Sequence, residues 1–545
     1  MKHFRLLLTI FYFFLISILY AQESDVRIIP QPAELTMVQE QFHIAENLKI
    51  YANDISLYRL IDYTITNLKK DFGITAITSS NPKDNNAIRL LLDDSFKNKT
   101  TGAYVLEVNE EGVTIVSATA QGLFYGVQSF RQLAGLNESS KTIPGILIHD
   151  EPRFPWRAFM LDEGRYFKGK SQVLKLLDEM ARLKMNIFHW HLVDDQGWRI
   201  EIKKYPLLTE IGSVRPTTQV GPLKWKSPIQ SGEKHEGFYR QDEIREIVEY
   251  ADDLFITVMP EIEMPGHSTA AIAAYPWLGS FGQNIEIPIT FGVGLDVYNV
   301  TDPKVYNFLT GVLDEVIALF PSKVIHIGGD EVKYDHWKNS EKIQQYMQDK
   351  GLATPADLQI FFTNQISQYI ESKGRRMMGW NEIMGHNLHE YQSKEDTEIK
   401  EKLAPTSVIH FWKGDIQLVK AAAEGGFDLV NSLHTNTYLD YSYQDISLEK
   451  AYNFDPIPNG LSKKYHHKVL GTGCQMWGEW IPTAGYMDFQ VFPRIAAYAE
   501  VGWTTKKQKD FSGFIVALQR ILNIWKQEEI YYAPLEWALP EKQKN

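Results

Sequence analysis

Past Pro152 the chain alternates between short apolar runs and helix-length amphipathic stretches, and this alternation most constrains what it can fold into. Eight runs read as buried strands: Ala158–Leu161, Asn186–His191, Ile256–Pro260, Val324–Ile327, Arg376–Gly379, Val408–Phe411, Asp428–Val430 and Val469–Gln475. Between and after them, Ser171–Lys184, Asp242–Leu254, Pro303–Phe320, Pro355–Lys373 and Asp488–Glu500 carry the period of helices. Strands separated by helices must pair in parallel, because only a crossover returns the chain to the same edge. Eight such units over about 350 residues predict an α/β fold, a (β/α)₈ barrel with insertions. An open doubly wound sheet is the alternative. No glycine-rich dinucleotide loop comes after an early strand, which weakens it.

Residues 22–150 read as a separate, small α+β unit. Tyr104–Val108 and Val113–Val116 alternate as strands about a turn at Glu110-Glu111-Gly112, and Gly122–Leu133 reads as an amphipathic helix. No catalytic constellation stands out there, so a supporting, non-catalytic domain is expected. The barrel is expected over 151–505. Residues 506–545 close the chain with a helix at Phe511–Gln527.

The first residues carry the layout of an export signal: basic Lys2, His3 and Arg5, an apolar run from Leu6 to Tyr20, then Ala21 and the polar Gln22-Glu23-Ser24-Asp25. The run is short for a membrane span. Residues 1–21 are therefore expected to be removed, leaving a periplasmic or secreted chain with no membrane attachment. A net charge of -12 argues against a nucleic-acid partner. The single cysteine, Cys474, excludes an intramolecular disulfide and reads as a small buried hydrophobe.

Active sites of such barrels sit at the C-terminal ends of the strands, so the residues just after each run carry the most information. In chain order these are Asp162, Glu163 and Arg165; Asp194, Asp195 and Trp198; Glu261, Glu263 and His267; Asp330 and Glu331; Trp380, Asn381 and Glu382; Trp412; Tyr438 and Asp440; and Trp477, Glu479 and Trp480. Any one of these acids could be a helix cap, and any Trp could be core. Their recurrence at every strand end points instead to one mouth lined with carboxylates and aromatic rings. That combination suits glycoside hydrolysis, which needs a proton donor and negative charge near an oxocarbenium-like centre, with flat apolar rings against the sugar faces. In Gly328-Gly329-Asp330-Glu331 two acids are adjacent and should point different ways, which suits two separate tasks.

Three segments carry a family resemblance: His189-Trp-His-Leu-Val-Asp-Asp-Gln-Gly-Trp198, Pro260-Glu-Ile-Glu-Met-Pro-Gly-His267 and His326-Ile-Gly-Gly-Asp-Glu331. In order and spacing they resemble family 20 glycoside hydrolases, the β-N-acetylhexosaminidases. The resemblance extends over nearly the whole chain after residue 21 and includes the small domain before the barrel. It implies an exo-acting retaining enzyme, without metal or cofactor, whose partner is an oligosaccharide or glycoconjugate ending in N-acetylhexosamine. It implies substrate assistance, in which the 2-acetamido oxygen attacks C1. Glu331 would then be the acid and base, and Asp330 would orient the acetamido N–H. Tyr438 would hydrogen-bond the acetamido oxygen, and Trp380, Trp412 and Trp477 would wall the pocket. Arg165 would hold O3 and O4, Asp440 and Glu479 would hold O4 and O6, and His267 would pair with Asp194 or Asp195. Glu263 stands where many relatives have Asp, and Tyr166 where many have His. Neither is expected to touch the chemistry.

Two other classes fit some of the residues. His189-x-His191 resembles a metal-ligating pair on one strand face. A sugar-binding protein without activity would keep the aromatic walls, but both acids are retained here. A disaccharide-releasing enzyme of the same family is a further alternative. The choice between glucosamine and galactosamine configuration stays open.

Overall fold

The computed structural model describes residues 26–97, 99–136, 141–220, 225, 227–385, 393 and 399–539. The predicted export signal lies outside the described residues. Among the described residues no helix is long and apolar enough to cross a membrane.

All eight predicted runs are strands: β1 Trp156–Asp162, β2 Ile187–His191, β3 Thr257–Glu261, β4 Val324–His326, β5 Arg376–Trp380, β6 Val408–Phe411, β7 Asp428–Asn431 and β8 Val469–Met476. They pair in parallel and close on themselves, with β8 beside β1, so the sheet is a barrel and not an open layer. The two-residue period of a strand decides what fills it. Ala158, Ile187, Met259, Met378, Val408 and Val430 form an apolar layer inside the barrel. Two residues further along the same strands stand His189, Glu261, Trp380 and His410. A further step along β2 and β6 brings His191 and Trp412 to the C-terminal end.

The helices match the predicted positions within a residue or two, with one exception. Asp488–Glu500 is not continuous: helices Ala484–Val491 and Arg494–Trp503 meet at Phe492-Pro493. Pro493 has no amide hydrogen to continue a ladder. Phe511–Gln527 is a helix as expected.

The N-terminal unit is a seven-stranded mixed sheet carrying helices Tyr58–Phe72 and Ala120–Ala134. The predicted hairpin is present, with Asn109 opposite Gly112. This unit is bolted to the start of the barrel strands by buried polar groups. Lys184 lies 3.0 Å from Asp150, which also accepts from Tyr104 Oη at 2.6 Å and from Trp503 Nε1 at 2.9 Å. Arg157 on β1 donates to Tyr125 Oη at 2.8 Å. Cys474 on β8 is fully buried.

Candidate active site

The strand ends deliver their side chains to one cavity of about 600 Å³. Arg165, Asp194, His267, Asp330, Glu331, Trp412, Tyr438, Asp440, Trp477 and Glu479 all border it. Asp195 and Trp380 do not.

The turn after β4 has an unusual backbone. Gly328 (φ 66°), Gly329 (φ 87°) and Glu331 (φ 52°) are all left-handed. For Glu331 that conformation is strained and must be imposed by its surroundings. Gln359 Nε2 donates to Gly329 O at 2.7 Å, Trp380 N to Gly328 O at 2.8 Å, and Gly329 N to Glu263 Oε2 at 3.3 Å. A Cβ at Gly328 would stand 1.6 Å from Glu263 Oε2. Glu263 therefore packs directly beneath the Asp330–Glu331 turn. This corrects the expectation that it stays away from the chemistry. The reason is the strand period, which turns Glu261 and Glu263 to the same inner side. Burial first, then the nearby charge of Asp330, pushes the Glu263 carboxyl well above the usual range.

Asp330 and Glu331 do point differently. Asp330 is buried, while the Glu331 side chain is about a quarter exposed, at 24%. Burial pushes the Asp330 carboxyl up to about 7; His267 opposes this, and the charges of Glu382 and Glu331 add to it. His267, itself left-handed at φ 47°, stands between the acids. Its Nδ1 lies 3.2 Å from Asp194 and 3.3 Å from Asp195. Its Nε2 lies 3.8 Å from Asp330 and 3.7 Å from Glu331. Burial disfavours its charge, but the Asp194 and Asp195 carboxylates outweigh burial and raise its pKa well above the ordinary value. Both acids of the Asp194-Asp195 pair thus contact His267. Only Asp194 also reaches the cavity. Asp195 is turned away, accepting from Thr269 N at 3.1 Å and Gly294 N at 3.0 Å.

Arg165 is held by carboxylates on both sides. Its guanidinium lies 2.8 Å from Asp194, 3.3 Å from Asp162 and 3.7 Å from Glu479, and sits 5.2 Å over the Trp477 ring. Trp412 and Tyr438 stand parallel, with centroids 6.0 Å apart and 6° between planes. Trp477 tilts against Tyr438 at 5.9 Å. Trp380 does not wall the cavity as expected. It is fully buried beneath these rings, stacked on His410 at 4.1 Å, with its Nε1 donating to Glu261 at 2.8 Å. Burial, with Glu479 nearby, pushes the Asp440 carboxyl well up. Among the described residues, Asp330 Oδ1 and Asp440 Oδ1 are buried without a hydrogen-bond partner. Buried polar atoms left open at a cavity are groups a polar ligand would satisfy.

The His189–His191 pair faces one way, as strand alternation requires, but into the barrel. Both rings meet Glu261 Oε2, at 2.8 and 2.6 Å, and His326 lies 2.8 Å from Oε1. His191 also reaches Asp194 at 2.9 Å. The pair therefore belongs to a buried imidazole–carboxylate network under the cavity floor.

Two contributors were not assigned from sequence. Glu382 accepts from Trp412 Nε1 at 2.9 Å, and burial raises its carboxyl to about 7. Its place after β5 was the available signal. Arg494 is wholly buried and donates to Leu439 O, Tyr441 O and Ile446 O, holding the Tyr438–Asp440 segment from behind. Nothing local in the sequence marks it.

Residues 154–506 match the family described as glycosyl hydrolase family 20, catalytic domain, and residues 25–151 match glycosyl hydrolase family 20, domain 2. A β-hexosaminidase of Porphyromonas gingivalis is 36% identical over 511 residues, covering 90% of this chain and 62% of that protein. A β-hexosaminidase of Vibrio furnissii is 36% identical over 420 residues, covering 74% of this chain. The chain spans 62% and 66% of these two relatives' lengths. Among solved structures, the exo-β-N-acetylglucosaminidase of Vibrio harveyi superposes with a TM-score of 0.80 at 29% identity, over 93% of this chain and 78% of that one. The β-N-acetylhexosaminidase of Bacteroides fragilis gives 0.79 at 28% identity, over 95% and 100%. With both domains matched and the three motifs gathered at one cavity, the chain belongs to glycosyl hydrolase family 20.

Proposed function

We propose that this chain is an exo-acting, retaining β-N-acetylhexosaminidase that removes terminal N-acetylglucosamine or N-acetylgalactosamine from oligosaccharides or glycoconjugates. The observation that carries the reading is the pairing of an open, buried Asp330 with a more exposed Glu331 beside parallel aromatic rings. In the proposed reaction the substrate's acetamido oxygen attacks C1. Glu331 gives its proton to the glycosidic oxygen as the C1–O bond breaks. The resulting oxazolinium keeps its N–H on Asp330, whose carboxylate stabilises the positive charge. That interaction favours the ionised form and counters the burial that raises Asp330. Glu331, now a carboxylate, takes a proton from water as the water attacks C1 and reopens the ring. Two inversions at C1 leave the configuration retained. Tyr438 donates to the acetamido oxygen, Trp412 and Trp477 enclose the sugar, Trp380 supports them from below, and Arg165, Asp440 and Glu479 bind O3, O4 and O6.

The test is turnover of aryl β-glycosides of N-acetylglucosamine, N-acetylgalactosamine and glucose. Only the acetamido sugars are expected to react. Glu331→Gln should lose about 10²–10⁴-fold in kcat, and Asp330→Asn should lose most activity. Equal turnover of the glucoside would instead require an enzyme nucleophile. The same proposal places the processed chain outside the cytoplasm, supported by the basic, apolar and small-residue order of residues 2–21. N-terminal sequencing of exported protein should begin near Gln22.

A further inference from the structure

Two tryptophans border the cavity without a part in holding the terminal sugar: Trp225 and Trp480. Trp225 is 58% exposed. A single exposed aromatic is ordinary. This one, however, lies with its ring 5.8 Å from that of Trp480 and inclined at 61°. Trp480 in turn packs edge-on against buried Phe291 at 5.3 Å, and Phe291 against Tyr166 at 5.9 Å. A continuous aromatic run therefore leads from beside Arg165 out to the rim.

In sequence, Trp225 lies between the two arms of a hairpin in which Arg215 pairs with His235 and Gln219 bridges Gln230. Arg215 donates to Gln196 O at 2.9 Å and also to Arg165 O. Gln219 N donates to Ile289 O at 2.7 Å, and Tyr166 Oη to Gln219 O at 3.3 Å. Tyr166 thus helps tie this hairpin to the turn that carries Arg165. Ser442 and Asp445 line the same cavity. Indole faces combined with hydroxyl and carboxylate groups match a pyranose, which has apolar C–H faces and a polar edge. They do not match a purely apolar chain.

We propose that Trp225 and Trp480 form a stacking platform for the sugar that leaves, the pyranose attached through the glycosidic oxygen that Glu331 protonates. This rests on the function proposed above and deepens it. The natural substrate would then be an oligosaccharide with a pyranose next to the terminal residue.

The experiment compares N,N′-diacetylchitobiose with methyl N-acetyl-β-glucosaminide on wild type, Trp225→Ala and Trp225→Tyr. The measured quantity is the ratio of kcat/KM for the disaccharide to that for the methyl glycoside. Loss of one indole face is expected to lower this ratio about tenfold, with Tyr restoring part of it. An unchanged ratio in Trp225→Ala overturns the platform. If wild type turns over neither sugar, calorimetric binding of the same two sugars gives the corresponding ratio. A preference for the disaccharide that Trp225→Ala removes would then support the platform while the hydrolytic reading fails. Equal binding of both sugars by wild type and variant would overturn the platform.

Discussion

Asp330 shows how the environment sets a residue's behaviour. Its carboxyl has an ordinary value of 3.8 and is raised to about 7 in the fold. Between those values the folded chain holds a proton that the unfolded chain has released. The Asp330 contribution to stability therefore falls as pH rises from about 4 to 7. Asp330→Asn should remove that fall, and urea midpoints of both proteins at pH 4.5 and 7.5 will check it. A larger acid-to-neutral loss in the variant would contradict the assignment. At this scale the sequence was informative about which residues gather and less so about how they stand. Asp330, Glu331, Arg165 and Trp477 were legible because each lies in the short stretch that follows a strand's C-terminal end. The burial of Trp380 beneath the floor was not, since that depends on the depth of the barrel layer it occupies. Nor was the closeness of Glu263 to Gly328, which depends on how the turn after β4 packs over the end of β3.

The elements themselves were the most legible part. Each barrel strand is a short apolar run, and β6 begins and ends where the run does. The helix predicted over Asp488–Glu500 failed at Pro493, a break that apolar periodicity alone passes over. That break has a structural role, because it starts a new helix with Arg494 at its first position. From there the guanidinium reaches three carbonyls of the 439–446 segment. Arg494→Met keeps the bulk but removes these donors, so it should destabilise the protein by about 3 kcal/mol. It should also raise KM more than it lowers kcat, because Tyr438 and Asp440 lose their backing. Urea unfolding with steady-state kinetics on the N-acetylglucosaminide separates the two effects. Unchanged KM would leave Arg494 a purely structural residue. The Trp225 hairpin was not legible, because its register rests on contacts with Arg165 and Ile289, distant in sequence.

For the whole molecule, the N-terminal sheet and the barrel share buried charge. Lys184 and Asp150 are both inaccessible and belong to different domains. Removing one partner strands the other, so Lys184→Met should cost about 3–5 kcal/mol, and Lys184→Met with Asp150→Asn should recover part of it. Calorimetry should show one shared transition in the wild type; two separate transitions would show that the domains unfold independently. The sequence announced two domains through a change of pattern at Pro152. It held no sign of this junction, since Lys184 and Asp150 are ordinary surface residue types until the fold brings them together. Of the groups that fasten the sheet, Arg157 and Lys184 lie at the starts of barrel strands, and the cavity opens at the strands' other ends. Cys474, the chain's one thiol, is sealed inside β8. A cysteine introduced at exposed Lys83, on the N-terminal unit, would therefore be the one readily alkylated position. Coupled to a resin through that atom, every molecule would be anchored by its N-terminal domain, with the mouth of the barrel left open to a flowing glycan.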